Sequence, residues 1–434
     1  MPIRILVLVG LLLSFGLEAS AQSVIPRDIR GDEDMIARGI LDGNLIQTNF
    51  RNHGEASRWN DLPWGIWPRG IGDRHLDGIG VMVAGRVVGE RAKWPFYAGK
   101  PDTLVNPVIL TYREAGTTTG PSGERWGWLP LPGFHNTARR NALGDLEPVP
   151  ALSDDASSWP VDWPDRRGNP DDPGWPGSWN GFFGKGVFNA DLESYYVIDD
   201  HSDMEYSVDP DTDRPLSNFG VFYPSPSDST MGGLGLQTAV RIFQWANVLA
   251  EDVMFLLYRI TNVGETLYAP NPSLPEDSPD EVGLWFSQLM DYGLGWEEGD
   301  ELSRFDAQLD VVFGWDIDGV GTNATGGQYD LGYTGFAFLE SPARDDDGRD
   351  DDGDGIIDEL RFGGPGVLIE GQDDIRAFVE ANYDLVAFEA FNGPLEERDA
   401  YEAGYWWTGD ENLDWRTFDD QNEDGMWDPN TEFV

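Results

Sequence analysis

The sequence predicts a mainly β protein: a β-sandwich, immunoglobulin-like or jelly-roll-like, with long Pro-, Trp- and Gly-rich loops and inserted acidic calcium loops. Short apolar runs rich in Val, Ile and Leu alternate with Gly, Pro, Asn and Asp, as strands alternate with turns. The 53 Gly and 29 Pro among 434 residues disfavour long helices. A hydrophobic content of 40% with 18 Trp supplies a core and excludes a disordered chain.

Residues 1–21 have the features of a secretory signal peptide. Arg4 provides the positive charge, residues 5–15 form the apolar run, and residues 19–21 (ASA) form a small-residue cleavage site. We expect a mature chain that is secreted, at the cell surface or extracellular rather than periplasmic. It should have no integral membrane segment after cleavage. The chain has no Cys, which excludes disulfides, thiolate metal sites and cysteine nucleophiles.

The net charge of the chain is strongly negative. The chain has 78 acidic and 29 basic residues, a formal net charge of −49. Such a surface repels nucleic acid and attracts divalent cations. We therefore expect calcium, and not nucleic acid, among the partners.

The N-terminal β-rich region covers residues 22–145. Apolar runs bounded by turn residues predict strands over residues 45–50, 79–88 and 105–112. Residues 32–41 predict a short helix, because Asp32 can cap it and Ile36 and Ile40 would share its inner face.

Residues 146–180 form a Pro/Trp-rich loop that contains SSWPVDWPDRRGNPDDPGWPGSWNG. Its prolines exclude both a helix and a central strand. Two interpretations are open for its tryptophans, Trp159, Trp163, Trp175 and Trp179. They could anchor an ordered loop to the domain, which we favour, or form a stacking platform for sugars.

Residues 181–343 carry the clearest strand signals and form the predicted central β-sandwich. The strands are expected over residues 194–198, 236–245, 253–261, 309–315 and 335–339. Residues 253–261 are apolar on both faces, which predicts a central strand. A helix over residues 239–258 is the competing prediction, and residues 268–281, with four prolines, are expected to be a surface connection.

Residues 344–360, RDDDGRDDDGDGIIDEL, predict a calcium-binding loop. Carboxylates on alternate residues converge when the backbone wraps a cation, and Gly355 supplies the sharp turn. Ile357 is the expected apolar anchor of the loop. Hard oxygen ligands in this number favour Ca²⁺ over Mg²⁺ and transition metals. The expected ligands are Asp350, Asp352, Asp354, the carbonyl of Ile356, and Asp358. The alternative is a solvated acidic linker.

Residues 419–434 repeat the pattern, and residues 361–418 continue the core between the two loops. The second set of ligands is Asp420, Asn422, Asp424, the carbonyl of Met426, and Asp428, with Gly425 at the turn and Trp427 as the anchor. Neither loop has the Glu that an EF-hand carries at its twelfth position. Between the loops we expect a strand over residues 367–370. A helix should run from Asp373 or Asp374 to about Tyr383, burying Ile375, Phe378 and Val379.

Both loops resemble the thrombospondin type 3 and dockerin-like calcium loops. Three other stretches resemble large uncharacterised secreted proteins of environmental bacteria: residues 175–200 (WPGSWNGFFGKGVFNADLESYYVIDD), 233–264 and 333–342. LDGNLIQTNFRNHGE near the N-terminus extends the similarity. The resemblance implies a β-rich fold with appended calcium loops and no particular activity. Longer members have a C-terminal sorting tail that holds them at the cell surface, and this sequence has no such tail. The second loop lies at the chain end with nothing to close it, so a fragment of a longer protein is one interpretation of the sequence.

Motifs of hydrolases, zinc proteases, phosphate-binding loops and dinucleotide folds are missing from the sequence. His53, His75, His135 and His201 are scattered and are expected to make ordinary polar contacts. Acidic residues around the Tyr195–Tyr196 pair could form an acidic pocket or a further calcium-linked cluster: Asp191, Glu193, Asp199 and Asp200.

We therefore expect a calcium-binding structural or adhesive protein of the cell surface, with the question of enzymatic activity open but leaning against it. Its partners would be extracellular polysaccharide or other surface proteins. The alternative is a carbohydrate-active protein, a polysaccharide-binding module or glycoside hydrolase, that uses the Trp-rich loop. That alternative requires at least two of the loop's tryptophans side by side on an exposed face.

Overall fold

The structure is a computed structural model. It describes residues 29–87, 108–110, 120–264, 284–295, 301–306, 311–337, 355–356 and 367–408, apart from gaps at 71, 121–122, 124, 169, 171, 210, 213, 215, 217–220, 226–227 and 323–326.

The described chain is mainly β, with several antiparallel sheets. The first seven strands are Arg38–Leu41 (β1), Thr48–Arg51 (β2), Glu55–Ala56 (β3), Gly65–Trp67 (β4), Asp73–Gly85 (β5), Val108–Leu110 (β6) and Leu129–Pro130 (β7). The next six are Asn180–Gly181 (β8), Gly184–Lys185 (β9), Leu192–Asp199 (β10), Leu236–Gln244 (β11), Met254–Asn262 (β12) and Leu284–Tyr292 (β13).

The later part of the chain adds short strands and three helices. The strands are Glu301–Asp306 (β14), Val311–Asp316 (β15), Val320–Thr322 (β16), Gln328–Asp330 (β17), Thr334–Ala337 (β18), Leu368–Glu370 (β19) and Tyr405–Trp407 (β20). The helices are Gln372–Asn382 (α1), Leu385–Asn392 (α2) and Asp399–Ala403 (α3). None of the described helices has the length and apolar character needed to cross a membrane.

A seven-stranded sheet is organised around β5, the longest strand. β13 pairs with β5 antiparallel along one side, from Leu76 to Gly85. On the other side, β4, β3 and β6 pair with successive parts of β5, and β2 and β1 continue the sheet beyond β3. β5 can pair on both sides because the backbone N–H and C=O groups of a strand point alternately to its two edges.

A four-stranded sheet has the order β12-β11-β10-β7. β10 and β11 pair antiparallel over eight residues, with Tyr195 opposite Arg241 and Tyr196 opposite Val240. Every residue of β10 is buried. Because successive side chains of a strand point to opposite faces, both faces of this sheet must be covered.

The largest apolar cluster contains side chains from both sheets. Val81 and Val83 of β5 belong to it together with Tyr196 of β10 and Val240 of β11. A second cluster lies on the other face of β10, where Tyr195 and Val197 pack with tryptophans of residues 146–180. These two clusters bury β10 from both sides.

The described chain divides into two compact units. Almost all residues up to 335 belong to the first, and those from 336 onward belong to the second. The second unit has its own core of helical and strand residues: Ile356, Ile375, Val379, Tyr383, Phe388, Leu395 and Trp406. Ile375 and Val379 are four residues apart in α1, so they lie on one face of the helix.

Several predicted elements are confirmed. β10, β11 and β12 match the strands expected over residues 194–198, 236–245 and 253–261, and the competing helix over residues 239–258 is wrong. α1 matches the predicted helix and buries Ile375 and Val379, although Gly371 precedes it and no side chain caps it. Residues 268–281 lie outside the described residues.

Two predictions are corrected. Residues 32–41 are not a helix: Asp32 caps only a 3-10 turn, Glu33–Met35, and β1 follows. Leu41 is buried while Ile40 is exposed, which is strand periodicity. Residues 253–261 were expected to be a central strand, but β12 ends the four-stranded sheet in the described chain.

Burial in the shared core should determine the stability of the first unit. Leu236 of β11 is 1% exposed, whereas Leu249 is 91% exposed. We expect Leu236→Ala to lower the free energy of unfolding by about 2–5 kcal/mol, because it removes buried surface and leaves a cavity. Leu249→Ala, the same change at an exposed site, should stay within about 0.5 kcal/mol of the wild type. Urea unfolding measures both, and equal effects would contradict this packing.

Candidate functional site

The predicted calcium ligands fall almost entirely outside the described residues. Ile356 is the one described member of the first set, and Gly355 is described beside it. The other predicted ligands lie outside the described residues: Asp350, Asp352, Asp354, Asp358, Asp420, Asn422, Asp424, Met426 and Asp428. Among the residues that the structure does describe, no group of three or more His, Asp or Glu is arranged to hold a metal.

Gly355 occupies a turn that only glycine fits. Its φ is +94°, and a Cβ at this position would overlap the backbone of Phe388 in α2. The Gly355 carbonyl accepts a hydrogen bond of 2.8 Å from the Asp384 backbone N–H. The Asp384 side chain in turn caps α2 by accepting from the N–H groups of Val386 and Ala387. The turn of the predicted loop is thus joined to the start of α2.

Ile356 anchors this turn in the core of the second unit. Its side chain is 3% exposed and belongs to the cluster that includes Phe388 and Trp406. The sequence prediction gave the anchoring role to Ile357, which lies outside the described residues, and only a carbonyl role to Ile356. The burial of Ile356 was not predicted, and the anchoring role of Ile357 stays a prediction.

The Pro/Trp-rich loop is packed onto the four-stranded sheet. Trp163 and Trp179 are fully buried, and Trp159 and Trp175 are partly buried. The indole N–H of Trp163 donates to the Ser178 carbonyl at 2.9 Å. No two of these tryptophans lie side by side on an exposed face, which confirms the prediction of anchors and removes the basis of the sugar platform.

A buried ionic network lies beneath this loop. Arg241 of β11 forms an ion pair with Glu193 of β10, and it donates to the Asn180 carbonyl at 2.8 Å. Its guanidinium also lies 3.9 Å from the centre of the Tyr195 ring. Trp179 donates to the second Glu193 oxygen at 2.9 Å. Glu193 and Arg241 therefore hold loop residues 179–180 to the sheet.

Asp165 is a second buried carboxylate of this network. It accepts from the Tyr195 hydroxyl at 2.9 Å and from the Asn180 amide at 3.0 and 3.1 Å. Arg166 donates to the side-chain Oδ1 atom of Asn180 at 2.9 Å. Burial, with the Asp165 charge, raises the pKa of Tyr195, so the phenol stays a donor.

Glu193 has an altered acidity. Burial raises its pKa, although Arg241 and Trp179 oppose the shift. A buried carboxyl with a raised pKa is a common feature of catalytic acids. Here, however, the side chain is fully buried and its oxygens are taken by Arg241 and Trp179. The arrangement stabilises the loop and offers no access to a substrate.

The four acidic residues near the tyrosine pair do not share a pocket. Glu193 and Asp199 lie six residues apart on the extended strand β10, about 20 Å along its axis. Asp191 is exposed and accepts from the Ala246 N–H. The four residues therefore do not form one pocket, because an extended strand separates side chains that are close in sequence.

The end of β10 carries a separate acidic cluster. Asp200 accepts from the N–H groups of Leu234 and Leu236 at 2.7 and 2.8 Å. Burial, together with Asp199 and Asp203, raises its pKa well above the usual value against these bonds. These backbone donors explain how a carboxyl is accommodated in the core.

All four histidines are buried. The ring of His201 lies 2.9 Å from the Asp199 carboxylate, and His75 lies 3.4 Å from the Gly332 N–H. Burial lowers the pKa of His135 to about 4. His53 differs from the others, because its Nε2 atom lies 3.0 Å from a Glu55 oxygen and 3.0 Å from the Nη2 atom of Arg125. Arg125 also lies 3.9 Å from the other Glu55 oxygen, so the three residues form one charged cluster.

No pattern in the sequence indicates the His53 cluster. The His-Gly-Glu order brings two of its members together, but Arg125 is 72 residues away in the sequence. Only the folded chain brings Arg125 next to His53.

No match was found when the sequence was compared with protein families and with characterised proteins, or when the fold was compared with solved structures.

The buried ion pair generates a test of loop anchoring. Arg241→Met leaves the Glu193 carboxylate buried without its cation, so we expect a loss of about 3–5 kcal/mol in the free energy of unfolding. The double variant Glu193→Gln/Arg241→Met should recover most of this loss, because glutamine is neutral and can still accept from Trp179. Urea unfolding measures both variants.

The exposed pair between Arg167 and Asp162 provides the matched control. Arg167→Met should cost at most about 1 kcal/mol, as expected for a solvated pair. An Arg241→Met variant as stable as Arg167→Met would show that the buried network does not hold the loop.

Proposed function

We propose that the chain is a secreted, calcium-stabilised β-sandwich protein of the cell surface, with a structural or adhesive role. The observation that carries the calcium assignment is the place of Gly355 and Ile356. The glycine of the D-x-D-x-D-G pattern has a positive φ with no room for a side chain, and the next residue is buried in a core. A solvated acidic linker has no need of either feature.

The sandwich arrangement is supported by contacts between the two large sheets. Val81 and Val240, one from each sheet, belong to the same buried cluster. The rings of Tyr258 in β12 and Phe286 in β13 lie 5.2 Å apart. Gln288 of β13 donates to the Tyr258 hydroxyl at 2.6 Å. Sheets that pack face to face share their inner side chains in this way.

The charge of residues 344–360 supports a bound cation. This stretch has nine acidic residues against two arginines, Arg344 and Arg349. Carboxylates this close repel one another at a range that bulk salt screens poorly. A divalent cation turns that repulsion into binding energy, and extracellular calcium loops bind at about 10⁻⁴–10⁻³ M.

Secretion and a surface location rest on residues 1–21 and on the resemblance to secreted bacterial proteins. Calcium is the proposed partner, together with extracellular polysaccharide or other surface proteins. The carbohydrate-active alternative has less support, because Trp163 and Trp179 are buried beneath their own loop.

Calcium should stabilise the protein against heat. If the ion binds only the folded state, calcium at ~100 times its dissociation constant adds about 2.7 kcal/mol per loop. Melting curves of the mature protein with EDTA, with calcium and with magnesium measure this effect. Asp352→Ala should remove the share of the first loop, whereas Asp346→Ala, outside the ligand spacing, should change little. Identical midpoints in all three conditions, with no binding heat in calorimetry, would refute the calcium assignment.

Gly355 should be essential to the second unit for steric reasons. Gly355→Ala places a Cβ against the Phe388 backbone in a left-handed conformation that costs about 1–2 kcal/mol by itself. Gly393→Ala also has a positive φ, +82°, but nothing lies within 4 Å of the added atom. We expect Gly355→Ala to lose both the helical far-UV signal of the second unit and its calcium response.

Gly393→Ala serves as the matched control, because it carries the conformational cost without the overlap. It should keep the calcium response and lose only about 1–2 kcal/mol. Equal behaviour of the two variants would mean that the Gly355 turn does not pack on α2.

A further inference from the structure

His53 lies in a buried, charged cluster in the first unit. Its Nε2 atom is 3.0 Å from a Glu55 oxygen and 3.0 Å from the Nη2 atom of Arg125. Arg58 is 3.8 Å from the same Glu55 oxygen, and Arg125 is 3.9 Å from the other. His53 and Glu55 are both almost completely buried.

One ring nitrogen thus faces a donor and an acceptor at once. Arg125 can only donate, so Nε2 must accept from it, and the single proton of a neutral ring must then be on Nδ1. In that state Nε2 and the Glu55 oxygen are two acceptors in contact. The Nδ1 atom has no hydrogen-bond partner among the described residues.

We propose that His53 is a proton-operated switch whose Nε2 atom exchanges Arg125 for Glu55 as its partner. A proton taken from solvent onto Nε2 turns the contact with Glu55 into a charge-assisted hydrogen bond. The same proton leaves Arg125 facing a donor, so the bond from Arg125 is lost. The Nε2 atom can form a hydrogen bond with only one of these two partners at a time.

Other charges around the ring do not remove this competition. Arg51 also faces His53 and disfavours its protonation, but Asp61 pairs with Arg51 at 2.8 Å. Glu33 faces Arg125 and favours its charged form. Among the described residues, Glu55 is therefore the carboxylate in direct contact with the ring.

The pKa of each group is lowered, so protonation of folded His53 requires a pH below the ordinary histidine value, where Glu55 is still charged. Burial lowers the pKa of His53, against the opposing effect of Glu55. Burial alone would raise the pKa of Glu55, but His53, Arg58 and Arg125 outweigh it, and the net shift is downward. As pH falls below the unfolded value of about 6.5 for histidine, the unfolded chain takes up the proton first. Stability contributed by the neutral ring is then lost, while Glu55 stays charged.

Loss of the bond from Arg125 should affect the place where parts of the two large sheets meet. His53 and Glu55 belong to the β2–β3 end of the seven-stranded sheet, whereas Arg125 leads into Trp128 and β7 of the four-stranded sheet. Loss of the bond from Arg125 to His53 removes one hydrogen bond between these parts, while the pair of Arg125 with Glu55 at 3.9 Å remains. We expect acid to loosen residues 125–131 before the rest of the first unit.

Two measurements on the wild-type protein test the switch. Nitrogen NMR of His53 at about pH 7.5 should show the Nδ1–H tautomer, the opposite of what a bond to Glu55 requires. Hydrogen exchange, corrected for its intrinsic pH dependence, should show amide protection over residues 125–131 falling between about pH 7.5 and pH 5.5. We expect roughly a tenfold loss or more, the effect of one hydrogen bond from a charged donor.

His53→Gln separates the switch from general acid lability. The glutamine oxygen can accept from Arg125 at either pH, so protection should become insensitive to pH over this range. His135→Gln is the control, because burial lowers the pKa of His135 to about 4 and the residue does not titrate there. It should behave as the wild type.

Three results would each overturn the proposal: an Nε2–H tautomer at about pH 7.5, unchanged protection in the wild type, or the same pH dependence in His53→Gln. If His53→Gln fails to fold, the two wild-type measurements still decide.

Discussion

The burial of β10 on both faces is the constraint on which the rest of the first unit depends. An antiparallel sheet commonly leaves one face to water, but every residue of this strand is buried. Tyr196 and Ile198 face the cluster shared by the two large sheets, while Tyr195 and Val197 face the Pro/Trp-rich loop. The loop has to supply a second core, although its prolines prevent regular structure. Tryptophan suits this task, because one side chain covers a large apolar area and its N–H can satisfy a carbonyl that lacks a strand partner.

The same constraint explains the buried charges. Glu193 and Arg241 are on the face of the sheet that the loop covers, so neither can reach water. Each is accommodated because loop atoms complete its contacts: Trp179 donates to Glu193, and the Asn180 carbonyl accepts from Arg241. Breaking such a pair leaves an uncompensated charge, whereas replacing both members with neutral groups does not. The network therefore makes the seating of the loop specific more than it adds net stability.

Local patterns predicted β10, β11, β12 and α1, although residues 239–258 also fitted a helix. The helix prediction for residues 32–41 was wrong because Ile36 and Ile40 fit a helix face. The burial of Ala37 and Leu41 comes instead from tertiary packing. The edge position of β12 depends on which strands pair, and local sequence patterns do not predict strand pairing. The ion pair of Glu193 with Arg241 likewise depends on the register of β10 and β11. The predicted calcium ligands remain a prediction, of which the position of Gly355 and Ile356 is the described part.

Buried carboxylates in the described chain are neutralised from within. Glu193 has Arg241, Glu55 has Arg58 and Arg125, and Asp200 has two backbone N–H groups. Residues 344–360 have too few arginines for the same solution. A purely solvated run would avoid the problem by keeping away from any core, yet Ile356 is buried and Gly355 packs on α2. We propose that a cation supplied from outside is the counter-charge for residues 344–360.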